Sequence, residues 1–385
     1  MSGTAKAREK EDSAGRRILY MAFELGEKSW KLGFTTGFGQ KPREKTIVSR
    51  DRDSVLQEIR RAKARFGLEK DCEVQSLYEA GRDGFWLHRF LLANGIRNTV
   101  VDSTAIEQSR RKKTVKTDRV DLGKLLHLLM RRDAGEKRAL CEVNVPSVCE
   151  EDRRHLHREA TKTRHDLTRV TNRIKGLLSG QGLKVELSSD FGEQLETLKT
   201  WDGSDLPPMI KARLKREWEK VEFLKKQVNE LERQRLEYVR EGEGEALDQV
   251  RQLLQLRGIG PKSAWLYVME FFSWRKFKNG KQVGSLAGLA PTPYQSGETA
   301  KEHGICKAGN KHIRTIAIEI AWCWIRYQPE SELTKWYERR YEDSGPVAHK
   351  IGIVAVARKL LIALWRYLEQ GLVPEGAQFK PARIF

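Results

Sequence analysis

ILYMAFELGEKSWKLGFTTG, residues 18–37, opens the first third of the chain with two strand-like runs. Its two runs, ILYMAFELG and KSWKLGFTTG, are rich in aliphatic and aromatic residues and break at glycine, and EKTIVSR (44–50) follows in the same manner. Short β-rich runs separated by glycine-containing turns predict a meander of three antiparallel strands. Beyond the meander, SVLQEIRRAKARFG (54–67) repeats apolar residues at helical spacing and stops on Gly67. CEVQSLYEAG (72–81) reads as a buried strand, GFWLHRFLLANG (84–95) as a helix stopped by Gly95, and RNTVVDS (97–103) as another strand. After the basic loop EQSRRKKTVK, the segment TDRVDLGKLLHLLMRRD (117–133) reads as a helix with Thr117 as its N-cap.

Three strands, helix, strand, helix, strand, helix is the order of the ribonuclease H or RuvC-like fold, and residues 18–133 fit it without leftover pieces. From Glu150 the chain becomes long, charged helix. Leu156, Ala160, Thr163, Leu167, Val170, Ile174 and Leu177 alternate steps of four and three, which is a heptad seam. A polar break with Gly180, Gly182 and Pro207-Pro208 separates it from a second seam through Leu214, Trp218, Val221, Leu224, Val228 and Leu231. The two seams can pair as an antiparallel hairpin or across a dimer, and the pattern is the same for both. From Ala246 apolar density returns in LLQLRGIGPKSAWLYVMEF, then an irregular Gly/Pro-rich stretch, then the helical runs IRTIAIEIAWCWIRY and AHKIGIVAVARKLLIALWRYL. The expected protein is α+β and multi-domain. It has a mobile basic tail (1–17), a RuvC-like acidic metal-binding domain (18–135), a coiled-coil arm or linker (146–245), and a mainly helical domain with a helix-hairpin-helix (246–385).

Composition narrows the partners. The 385 residues carry 72 Lys+Arg against 53 Asp+Glu, a formal charge of +19. Such a field concentrates polyanions, and nucleic acid is the first of them to consider. Ten Trp and thirteen Phe exclude a disordered basic tail protein. The five cysteines lie far apart without CxxC spacing, so reduced thiols and a cytoplasmic location are expected, with neither a disulfide frame nor a zinc site. No window approaches eighteen uninterrupted apolar residues and the first seventeen residues hold no apolar leader core, so neither secretion nor membrane spanning is expected.

Three constellations can carry chemistry. Glu24 falls in the first strand, Glu79 at the end of the fourth, and Asp118 and Asp121 sit at i and i+3 on one face of the last helix. In a RuvC-like fold these places converge, and carboxylates brought together repel unless a cation lies among them. Hard oxygen ligands suit Mg²⁺ or Mn²⁺. Second, LRGIGPKSA (256–264) sets Gly258 and Gly260 between two helices. There backbone N–H groups can approach a DNA phosphate without reading bases, and Lys262 can add a charge contact. Third, GLAPTPYQSGETAKEHGICKAGNKHIR (288–314) holds Ser296 beside a glycine, with Lys301, Lys307, Lys311 and Arg314 nearby to stabilise phosphoryl transfer. His155 and His157 lie in the charged arm and are expected to face solvent. No Walker lysine motif, HExxH or GxSxG is present.

KTDRVD (116–121), YEAG (78–81), RGIGPKSA (257–264), SLAGLAPTPYQSG (285–297), KAGNKHIR (307–314) and AVARKLL (355–361) occur in an order that resembles the insertion-sequence-110 transposases, relatives of the pilin-inversion recombinases. The resemblance covers most of the chain from Ile18 to Leu368. It implies a RuvC-like domain, a coiled-coil linker and a serine-bearing transposase domain. It also implies that Glu79, Asp118 and Asp121 take the second, third and fourth places of a DEDD metal tetrad, with Ser296 as nucleophile. The first place, normally aspartate, falls on Glu24, whose extra methylene shifts the reach to a cation; Glu27 lies in the following turn. The same resemblance implies a noncoding guide RNA that pairs with donor and target DNA, which the basic N-terminal domain and arm can hold through backbone contacts.

The expectation is therefore a DNA recombinase working by transesterification, with Ser296 and the acidic tetrad forming a composite site between protomers of a dimer or tetramer. The location expected is the cytoplasm, on the nucleoid when DNA is bound. Two rivals stand beside it: a RuvC-like junction endonuclease or resolvase that uses water, and a nucleic-acid-binding protein without catalysis.

Overall fold

The computed structural model describes residues 17–102, 118–136, 139–296, 299–307 and 309–381, with the backbone alone for residues 118–121, 293–296 and 299–303. The tail expected over 1–17 lies, but for Arg17, outside the described residues. The chain divides into two compact units, residues 1–145 and 146–385.

The first unit is a five-stranded mixed sheet with helices on both faces. Strands β1 (Leu19–Leu25), β2 (Ser29–Thr35) and β3 (Arg43–Val48) form the expected antiparallel meander. Helix α1 (Arg52–Arg65) leads to β4 (Val74–Glu79), and helix α2 (Trp86–Ala93) leads to β5 (Arg97–Val101). Both β4 and β5 pair in parallel, so the strand order is β3-β2-β1-β4-β5. The element order read from the sequence is the one observed.

Alternation along the strands decides what each face meets. Leu19, Met21 and Phe23 of β1, Trp30, Leu32 and Phe34 of β2, and Val74 and Tyr78 of β4 are buried beneath α1 and α2. Ala22, Leu77 and Val101 point the other way and pack under helix α3 (Asp118–Asp133), against Leu122, Leu125, Leu126 and Leu129. Each fully buried Leu contributes about 1.5–3 kcal/mol. The fit under α3 depends on Gly33, where a Cβ would lie 2.8 Å from Leu122 Cδ2. The far end of α3 is anchored at Asp133, which accepts hydrogen bonds from the Tyr20 hydroxyl (2.6 Å) and Gln75 Nε2 (2.9 Å). Tyr20 and Gln75 begin β1 and β4, whereas Leu122 packs by Gly33, the partner of Ala22 further along β1. Helix α3 therefore runs against the direction of β1 and β4, with its first turn toward their C-terminal ends.

The second unit opens with helix α4 (Val148–Ser179), started by a capping box in which Ser147 Oγ accepts from the Glu150 amide and Glu150 accepts from the Ser147 amide. Helix α5 (Phe191–Thr197) and helix α6 (Pro208–Glu241) follow. The two heptad seams meet within the chain. Val170, Ile174 and Leu178 of α4 bury against Leu214, Trp218 and Val221 of α6, and the ion pairs Arg173–Glu217 (2.8 Å) and Arg164–Glu232 show an antiparallel hairpin.

Helix α7 (Glu245–Leu254), helix α8 (Pro261–Tyr267), a π turn (Val268–Phe272) and helix α9 (Gly280–Leu286) come next. They pack with α10 (Lys311–Tyr327), α11 (Glu332–Tyr341) and α12 (Pro346–Gln370) around Leu253, Tyr267, Phe271, Ala317, Trp324 and Leu360.

The stretch read as irregular is a two-stranded hairpin, β6 (Pro291–Ser296) with β7 (Thr299–Ile305), whose register shifts between Pro291 and Pro293. Prolines hide a strand from a pattern reading, but a two-stranded ribbon has outer edges toward which a missing N–H costs nothing. Cys72, Cys141, Cys149, Cys306 and Cys323 form no disulfide with one another. No helix among the described residues is long and apolar enough to cross a membrane.

Candidate functional site

Glu24 and Glu79 come together. Phe23 pairs with Tyr78 across parallel β1 and β4, so the residues that follow them, Glu24 and Glu79, lie side by side. By alternation with Ala22 and Leu77 both belong to the face that α3 covers. Both are half-buried and line one cleft of about 270 Å³ at the C-terminal ends of the strands, closed on one side by the loop Gly81–Gly84. Glu27 is exposed in the turn after β1 and pairs with Arg82. Its neighbour Asp83 is held by Arg50 at 2.9 Å. Two carboxylates on adjacent strand ends, of the acceptor-only type when ionised, are a donor set that a hard cation matches. Asp118 and Asp121 belong to the first turn of α3, and their side chains lie outside the described residues. Among the described residues no group of three or more His, Cys, Asp or Glu side chains is placed to hold a metal ion.

Gly258 and Gly260 occupy the turn between α7 and α8, and their roles differ. Gly258 has φ +82°, and a Cβ there would lie 3.3 Å from the Cys323 carbonyl oxygen, so glycine is needed for both the turn and the approach to α10. Gly260 is the N-cap residue of α8, with open space around its Cα and Pro261 in the first turn. Lys262 is exposed. A segment without any sequence signal pins this turn: Lys380 Nζ donates to the carbonyls of Leu254 and Ile259, both at 2.7 Å. Buried Gln328 donates to the Arg257 carbonyl at 2.9 Å.

Ser296 ends β6 opposite Thr299, and Lys301 of β7 pairs with Tyr294; the side chains of Ser296 and Lys301 lie outside the described residues. The basic run after the hairpin is tightly built. Lys307 has φ +55°, and its carbonyl accepts from Arg314 Nη1 at 2.8 Å. Gly309 has φ +115°, and a Cβ would lie 2.3 Å from the Leu286 carbonyl oxygen. Asn310 caps α10, its side-chain oxygen accepting from the amides of His312 (2.9 Å) and Ile313 (3.2 Å). Lys307 and Lys311 are exposed and Arg314 is half-buried. Lys307, Lys311 and Arg314 thus gather at the positive end of a 17-residue helix, an arrangement that attracts anions.

Below this run lies a carboxylate that pattern reading missed. Glu270, in the π turn, is fully buried. It accepts from His157 Nε2 (2.8 Å), Arg158 Nε (2.5 Å) and Nη2 (3.1 Å), and Asn310 Nδ2 (3.4 Å). Burial would raise its pKa, but the hydrogen bonds from His157 and Arg158 outweigh it and hold the carboxyl far below the usual range. His157 is itself buried, which lowers its pKa despite the bond to Glu270, and its Nδ1 has no hydrogen-bond partner among the described residues. Of the two histidines expected to face solvent, His155 does and His157 does not. The signal available beforehand was Glu270 alone within the apolar run YVMEFF, since a charge buried there requires partners.

The family model described as Transposase IS116/IS110/IS902 family matches residues 250–335, which include the Gly258 turn, the Ser296 hairpin and the basic run. A protein of Sinorhizobium fredii named "Putative transposase y4rJ" is 39% identical over 377 residues, covering 94% of this chain and 94% of its own. The "Transposase for insertion sequence element IS1328" of Yersinia enterocolitica is 24% identical over 223 residues, 57% of this chain and 63% of its own. Similarity to y4rJ along nearly the whole of both chains, joined to the family match at residues 250–335, means that this chain belongs to the IS116/IS110/IS902 family of transposases.

Proposed function

We propose that this transposase cuts and rejoins DNA through a covalent serine–phosphate intermediate, with Ser296 as nucleophile and Glu24, Glu79, Asp118 and Asp121 as a tetrad for Mg²⁺ or Mn²⁺ in a RuvC-like first unit. The observation that carries the reading is the pairing of Glu24 with Glu79 in one cleft, on the face covered by α3. The direction of α3 favours the other two acids as their neighbours, because its first turn heads toward the same strand ends. The strand order supports the RuvC-like assignment. A bound divalent cation supplies polarisation of the phosphoryl oxygens and charge neutralisation at the leaving oxygen.

In the proposed step the Ser296 hydroxyl gives up its proton and Oγ bonds to phosphorus. One DNA P–O bond breaks, and the released strand oxygen takes up a proton. Attack by a second strand hydroxyl then reverses the exchange and frees the serine, so rejoining needs no ATP. Lys301, Lys307, Lys311 and Arg314 offset the charge of the pentacovalent phosphorus. The turn at Gly258 and Gly260, with Lys262, serves as the backbone contact of a helix-hairpin-helix. A noncoding guide RNA and a homodimer or homotetramer complete the proposal, supported by the net charge of +19 and by family membership.

Strand exchange on a DNA substrate tests it. Glu79→Gln should abolish exchange at any Mg²⁺ concentration while DNA binding persists, since the Lys and Arg contacts are untouched. Full exchange by Glu79→Gln would remove the acidic cleft from the mechanism. Ser296→Ala that still cleaves would point to water as nucleophile, as in a junction endonuclease.

A further inference from the structure

Glu270 poses a question that stability does not answer. A buried ion pair is about neutral against a well-packed apolar replacement, so its placement calls for a different reason. Its partners come from two places far apart in the chain. His157 and Arg158 belong to the arm helix α4, and Asn310 is the residue on which the basic run turns into α10. The Asn310 carboxamide is engaged at both ends. Its oxygen caps two amides of α10 and its nitrogen donates to Glu270, while its own backbone amide donates to the Leu286 carbonyl at 2.9 Å. Lys307 and Lys311 stand on either side of this fixed point, and Arg314 is tied back to the Lys307 carbonyl. His312, in the same turn, brings its ring centroid to 6.4 Å from that of His157.

We propose that Glu270 is a positioning residue for phosphate contact: held by Arg158 and His157 of the arm, it fixes Asn310 and so presents Lys307 and Lys311 to the DNA backbone. The proposal rests on the reading of this basic run as a phosphate contact. It makes the arm an active part of presentation. A rigid first turn would otherwise be difficult to keep, because three like charges gathered there repel one another. The bond from Asn310 Nδ2 to the buried Glu270 carboxylate holds the turn against that repulsion.

Asn310→Ser separates positioning from folding. Serine caps a helix about as well as asparagine, so the cap survives while the donor to Glu270 is removed. The full chain would be measured on a short mixed-sequence DNA duplex over a range of salt concentrations. Asn310→Ser should keep the wild-type unfolding midpoint, weaken binding about tenfold, and reduce the slope of log affinity against log salt by about 0.9 for each phosphate no longer neutralised. Glu270→Gln, which keeps shape but not charge, should show the same reduction of slope. Wild-type affinity and slope in both variants would overturn the proposal. Lys307→Met and Lys311→Met test the reading beneath it. If they lower the slope and Asn310→Ser does not, only the positioning role fails. If they too leave it unchanged, the basic run is no phosphate contact and the proposal falls with that reading.

Discussion

The molecule uses carboxylates in two opposite ways. Glu24 and Glu79 stand half-buried on neighbouring strand ends, open to a cleft, each with a like charge beside it. Glu270 sits in a core with no exposure, and Arg158, His157 and Asn310 of the same chain supply its donors. A carboxylate enclosed by donors of its own core is closed to any ligand, whereas two carboxylates lining a cleft are within reach of a cation from solution. The difference predicts where each substitution is felt, in chemistry for the first pair and in stability or presentation for the second.

Glu79→Gln keeps the size of a side chain at a half-buried strand end, so thermal unfolding should change little although strand exchange vanishes. A large fall in stability would make Glu79 a structural residue like Glu270. The converse holds for Glu270→Ala, which strands buried His157 and the half-exposed Arg158 and should destabilise the second unit by about 3 kcal/mol, measured by denaturant titration. A loss below about 1 kcal/mol would mean that water readily replaces the carboxylate. Gly258→Ala comes next. A side chain at φ +82° costs about 1–2 kcal/mol, before any shift of α10 away from the 3.3 Å contact at the Cys323 carbonyl.

The smallest effect is a pH dependence. The His157 pKa lies below its ordinary value of 6.5, so the unfolded chain takes up a proton on this ring before the folded chain does. The stability it contributes is complete above pH 6.5 and is lost as pH falls below it. Glu270, with its pKa also lowered, loses its contribution at still lower pH, as pH falls through the carboxylate range and beneath it. Replacing His157 with Gln keeps a donor for Glu270 and should flatten the decline in unfolding midpoint between about pH 6.5 and 5. An unchanged decline would assign it to other groups.

How much of this was legible in the sequence follows from the range of each interaction. The sheet was legible because alternation along β1 and the glycine turns are local, and Glu24 and Glu79 followed once the strand order was known. The partner of the α4 seam was not, since heptads in one chain pair as well within it as across two. The hairpin holding Ser296 was hidden by Pro291 and Pro293, whose local signal opposes strand. The Glu270 cluster was hidden by distance, with His157 separated from it by 113 residues. Lys380 was hidden likewise, because the carbonyls it holds carry no mark in the sequence at all.

A covalent bond from Ser296 to DNA phosphorus can be trapped. A DNA substrate interrupted so that rejoining cannot follow is incubated with the protein and Mg²⁺, denatured in detergent, and the protein digested for peptide mapping. Such a bond predicts DNA that stays attached after denaturation, with the adduct on Ser296 and none formed by Ser296→Ala or Glu79→Gln, because a serine phosphodiester survives detergent and charge contacts do not. Cleaved DNA that migrates free of protein, or an adduct mapped to Ser285 or Tyr294, would contradict it.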